Sequence, residues 1–102
     1  MKVKMTVVVA SSLLVAVAGL AHADGDAAAG KTKSAQCATC HGANGKGGGA
    51  NPSIAGQDKA KFTAAIADFK SGKRKNAMME MMAKKLSDQD AADLAAYYAT
   101  LK

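Results

Sequence analysis

Proline, cysteine, histidine and the aromatics are all scarce in this chain of 102 residues. It holds one proline, two cysteines, two histidines, two tyrosines, two phenylalanines and no tryptophan. The cysteines, Cys37 and Cys40, are three positions apart, so a disulfide between them would close a tiny loop and constrain little. Beyond Ala23 no Val/Ile/Thr-rich run alternates with polar residues, which removes the strand signal and leaves an all-α class. The apolar run from Thr6 to Leu20 falls short of the ~20 residues that span a bilayer comfortably. So few aromatics, in a chain with the export features described next, also argue against nucleic acid as a partner despite a net charge of +6.

The N-terminus has a recognisable layout. Lys2 and Lys4 give a positive start, the run to Leu20 is broken only by Ser11, Ser12 and Gly19, and Ala21-His22-Ala23 offers small residues where a signal peptidase cuts. This predicts a secretory signal peptide over residues 1–23 and an exported mature domain over 24–102. The mature domain would have 79 of the 102 residues and a net charge of +4, since Lys2 and Lys4 leave with the signal. A domain of that size usually needs a staple, and the cysteine spacing makes a cofactor a better one than a disulfide.

Helical stretches are expected over three main segments. The first runs from about Asp26 to Cys40, capped by Asp24 or Asp26. A loop from Gly42 to Gly56 follows, with six glycines and Pro52, a composition that no helix tolerates. The second helix spans roughly Asp58 to Lys70, where Phe62, Ala65, Ile66 and Phe69 recur at helical spacing, and Ser71-Gly72 ends it. A basic stretch, Lys73 to Asn76, leads into a methionine cluster that fits a short helix to about Lys85. The last helix starts at Ser87, with acids in its first turn, and presents Leu94, Tyr97, Tyr98 and Leu101 as its apolar positions.

The chemistry concentrates at Cys37-Ala38-Thr39-Cys40-His41. C-x-x-C-H is the attachment signal for c-type haem. Thiols three apart near a helix end project to one side, so each can add across one haem vinyl group. His41 then lies under the iron as proximal ligand. A zinc site lacks a fourth ligand at suitable spacing, and a thioredoxin-like C-x-x-C lacks its βαβ context. The other histidine, His22, lies in the expected signal peptide, so a second histidine ligand is not available in the mature domain. Methionine is the remaining candidate for the sixth position. Beyond Met1 and Met5, every methionine falls at 78, 79, 81 or 82. Helical spacing leaves the choice among these open, and methionines also fill core gaps.

These residues resemble the class I bacterial cytochromes c, of the small single-haem periplasmic type related to one half of the diheme cytochromes. The resemblance is carried by Gly25 to Lys31, Cys37 to Gly42, Pro52 to Gln57, Phe69 to Asn76, Met78-Met79, Leu86-Ser87-Asp88 and Leu94 to Tyr98. It implies a fold of three main helices and one short helix packed around a single covalent haem. It implies Met79, seven residues before Leu86, as distal ligand, with Met78 and then Met82 as runners-up. It implies that the Pro52 carbonyl receives the His41 ring N–H, and that Arg74 and Asn76 lie near the haem. It places Gly30 where the first and last helices cross, with Leu94 and Tyr97 packed there. The function so implied is electron transfer, cycling one haem between Fe(III) and Fe(II), with transient redox partners docking at the haem edge and nearby lysines and no catalysis by the chain itself. The alternative is a haem c subunit of a dehydrogenase or flavocytochrome complex.

Overall fold

The structure, a computed structural model, describes residues 25–101 together with Lys2. The expected signal peptide and its cleavage point after Ala23 lie outside the described residues, Lys2 aside. Five helices follow one another: α1 (Ala27–Lys33), α2 (Ala35–His41), α3 (Lys59–Ser71), α4 (Ala77–Lys84) and α5 (Asp88–Thr100). Among the described residues the only β pairing is an isolated antiparallel bridge between Gly48 and Asn51. The all-α expectation holds.

Four of the five helices begin at a side chain that satisfies free backbone N–H groups. Asp26 accepts from the Ala28 and Ala29 amides, Asp58 from Ala60 and Asn76 from Met79. Ser87 and Asp90 form a reciprocal capping box, with Ser87 Oγ accepting the Asp90 N–H at 3.0 Å and the Asp90 carboxylate accepting the Ser87 N–H at 2.9 Å. Gly72 ends α3 with φ at 77°, a left-handed conformation that glycine adopts without strain.

The single first helix expected over 26–40 is in fact two, so the three-plus-one arrangement becomes five helices. The break falls at Ser34. Its hydroxyl donates to the Lys31 carbonyl at 2.6 Å, a local bond that competes with the helical ladder. The chain then resumes as α2, with the Cys37 and Ala38 amides both directed to the Ser34 carbonyl.

The core lies between α3, α4 and α5. Phe62, Ile66 and Phe69 of α3 meet Ala83, Leu86, Leu94 and Tyr98. Full burial of each large apolar side chain contributes about 1.5–3 kcal/mol. Phe62 stacks on Tyr98 with ring centres 5.7 Å apart. Helix α1 packs chiefly on α5. A polar clamp secures that crossing. The buried Asp93 carboxylate accepts from the Asp26 amide at 2.8 Å, from Gln89 Nε2 at 2.9 Å and from Lys33 Nζ at 2.5 Å. Lys33 also pairs with Asp90 at 2.8 Å. The Lys33 ammonium holds the Asp93 carboxyl down at about 2, with the Asp26 and Gln89 donors acting the same way.

Candidate functional site

A cavity of about 360 Å³ opens between α2, the 50–57 segment, α3 and α4, within the ~300–1,000 Å³ typical of cofactor sites. Its walls carry Cys37, Cys40 and His41 on one element and Met78, Met79 and Met82 on another. Phe62, Ile66, Phe69, Leu86 and Leu94 supply the apolar surface. The same helices that bury the core therefore build the pocket.

Helix α2 positions the C-x-x-C-H side chains. Cys37 and Cys40 are free thiols, the first half-buried against the core and the second exposed. Burial pushes the Cys37 thiol up, opposed by a smaller effect of Tyr98. His41, the last residue of α2, is buried with 7% of its surface exposed. Its carbonyl accepts the Gly47 amide at 2.7 Å, which folds the glycine-rich loop back under the helix end.

The His41 ring is fixed by Pro52. Nδ1 lies 2.8 Å from the Pro52 carbonyl oxygen. A carbonyl only accepts, so Nδ1 carries the proton and donates, and Nε2 of the neutral ring is left as a metal donor. This bond sets both tautomer and ring plane, as outer hydrogen bonds to ligating histidines do. Among the described residues no three His, Cys, Asp or Glu side chains converge on a point that could hold a metal ion. That disfavours zinc at Cys37, Cys40 and His41. Two thiols on one side, a directed imidazole and apolar walls fit a flat macrocyclic cofactor instead.

The methionines divide by exposure. Met78 is 60% exposed and Met81 53%, whereas Met79 is half-buried and packs against the core. Met78, Met79 and Met82 line the cavity, and Met81 is not among the lining residues. Asn76 lines the cavity too, but its side-chain oxygen accepts the Met79 amide at 3.0 Å, so it also caps α4 at the candidate ligand. The Arg74 guanidinium lies over the Phe69 ring, 4.8 Å from its centre, at the cavity wall.

All the expected site residues thus meet at one cavity: Cys37, Cys40, His41, Pro52, Arg74, Asn76 and the three candidate methionines. Gly30 and Tyr97 meet where the resemblance placed them. A Cβ on Gly30 would lie 2.0 Å from the Asp93 carbonyl oxygen and 2.8 Å from Tyr97 Cβ. Sequence reasoning missed the Asp93 clamp and the hydroxyl of Tyr98. Both depend on partners some 60 residues away along the chain, and no local spacing signals them.

Comparison with known proteins adds to this geometry. The family model described as cytochrome c oxidase, cbb3-type, subunit III matches residues 23–97. Cytochrome c4 of Pseudomonas aeruginosa is 47% identical over 91 residues, covering 88% of this chain and 45% of that protein. The chain therefore spans about half the length of that relative. Cytochrome c-554(548) of Halomonas halodenitrificans is 42% identical over 80 residues, covering 74% of this chain and 96% of that protein. The crystal structure of reduced recombinant cytochrome c4 from Pseudomonas stutzeri superposes with a TM-score of 0.71 at 38% identity, over 76% of this chain and 46% of that one. The match over residues 23–97, together with two thiols and a directed histidine at one apolar cavity, places the chain in the cytochrome c family, with c-type haem as its cofactor.

Proposed function

We propose that this chain is a periplasmic carrier of single electrons, with one haem held by Cys37 and Cys40 and ligated by His41 and Met79. Cys37 and Cys40 would hold the haem as thioethers, each thiol adding across a vinyl group with sulfur to one carbon and hydrogen to the other, so that nothing would leave. The bound haem iron supplies the Fe(III)/Fe(II) couple. His41 presents Nε2 with its ring held by Pro52. Met79 presents a soft thioether, which favours ferrous iron and raises the reduction potential.

One observation carries this reading: His41 and a half-buried Met79 line the same cavity of one chain. If His41 and Met79 both ligate the iron, they would leave no open position on it for a substrate, and the chain would supply ligation and burial without catalysis of its own. The signal-peptide layout of residues 1–23 supports export, and the resemblance to periplasmic cytochromes c supports that compartment. Among the described residues no helix is long and apolar enough to cross a membrane. Docking would be transient, at the cavity rim near Lys75, where small interfaces suit brief encounters.

The test is the optical spectrum of the oxidised holoprotein and of its Met78→Ala, Met79→Ala and Met82→Ala variants. The weak far-red sulfur-to-iron band should vanish only in Met79→Ala. Its survival there would remove Met79 as ligand, and rapid carbon monoxide binding by the reduced wild type would overturn the closed-site reading.

A further inference from the structure

Tyr98 is 1% exposed, yet its hydroxyl is the one buried side-chain polar atom among the described residues without a hydrogen-bond partner. Leaving a buried hydroxyl unpaired costs about 1–3 kcal/mol. The ring has little freedom to move away, because it stacks on Phe62 and lies against Tyr97 at 5.3 Å. The hydroxyl must therefore be satisfied where it stands.

Its polar surroundings are the Cys37 thiol and the Ser34 hydroxyl. Burial, and to a smaller extent Cys37, pushes the phenol well above its usual range, so it keeps its proton. Both groups lie near enough to influence it, but neither completes a hydrogen bond of good geometry. Ser34 commits its own proton to the Lys31 carbonyl at 2.6 Å, so towards Tyr98 it can only accept. A thiol at Cys37 can donate or accept. A thioether sulfur has no hydrogen and can only accept.

We infer that Tyr98 is a positioning residue for the haem: its O–H donates to the Cys37 sulfur once that sulfur has become a thioether. This rests on the reading of Cys37 as a haem attachment point. Attachment removes the alternative direction of the contact and gives the orphaned hydroxyl its acceptor, with Ser34 Oγ beside it as a second. The bond ties α5 to the haem-bearing turn of α2. It also draws electron density from the macrocycle edge, favouring the reduced state, as outer hydrogen bonds do at other redox sites.

The test compares wild-type holoprotein with Tyr98→Phe, which keeps the stacked ring and deletes only the hydroxyl. Resonance Raman of the thioether C–S stretch should shift in Tyr98→Phe. The wild-type band should shift on transfer to D₂O and the variant band should not. The reduction potential of the variant should fall. A C–S band unmoved both by the substitution and by D₂O overturns the inference, whatever the potential does. If Tyr98→Phe does not fold, the D₂O shift of the wild type decides alone. Mass spectrometry of the haem-bearing peptide keeps the two readings apart: haem absent from Cys37 removes the basis of both, whereas haem present with an unmoved band removes only this one.

Discussion

Gly30 of α1 faces the Asp93 carbonyl of α5 so closely that a Cβ on it would lie 2.0 Å from that oxygen. Both partners in this approach are backbone or nearly so, and neither can rotate aside. Gly30→Ala must therefore part the two helices. Overpacking of this kind costs about 1–3 kcal/mol, and here the upper end is expected because Asp93 is also anchored to Lys33 and Asp26. Urea titration of the holoprotein should show a lower midpoint with little change in slope. A midpoint within error of the wild type would show that the crossing can yield.

The helix starts were legible because caps are local. Asp26 and Ser87 each stand just before a helical stretch, and each is found as its cap. The residues that line the candidate site were legible because a five-residue motif carries the chemistry, and the resemblance supplied the partners further along. What stayed hidden is long-range, with one local exception. Ser34 looks like any helical serine until its bond to Lys31 interrupts the ladder. Asp93 sits in a helix where an exposed acid would be unremarkable, and only the packing of α1 on α5 buries it beside Lys33. Tyr98 read as an apolar position, which its ring is. The isolation of its hydroxyl appears only when Ser34 and Cys37 are brought over it.

The Asp93 clamp predicts a specific acid sensitivity. Its carboxyl is held at about 2 against an ordinary value of 3.8. The stabilisation is fully present above 3.8 and fades as pH falls through about 2, where the folded-state carboxylate is protonated. Asp93→Asn should lower stability at neutral pH by about 2 kcal/mol, the scale of a hydrogen bond to a charged group. Between pH 4 and 2 the difference between variant and wild type should narrow, as measured by denaturant midpoints at each pH. A gap that stays constant over that range would mean that packing and not charge accounts for the loss.

Asn76 offers a test of how the chain holds Met79, the proposed distal ligand. Its side-chain oxygen accepts the Met79 backbone N–H at 3.0 Å, and its own backbone N–H donates to the Glu80 carboxylate at 3.3 Å. The cap therefore fixes the first turn of α4 at the residue proposed to reach the iron. Removing it in Asn76→Ala costs about 1 kcal/mol of helix start. If that turn must loosen for Met79 to detach, the detached fraction should rise by about fivefold, and imidazole should bind the ferric holoprotein correspondingly more tightly. Asn76 also lines the cavity, so a direct contact of its amide group with the haem is the competing explanation. Aspartate separates the two. It caps helices as well as asparagine does but cannot donate from its side chain as the amide does. Restoration of wild-type imidazole affinity in Asn76→Asp would assign the effect to the cap. An Asn76→Asp protein as permissive as Asn76→Ala would assign it to the lost amide contact, and the Met79 turn would then be held by its packing against the core alone.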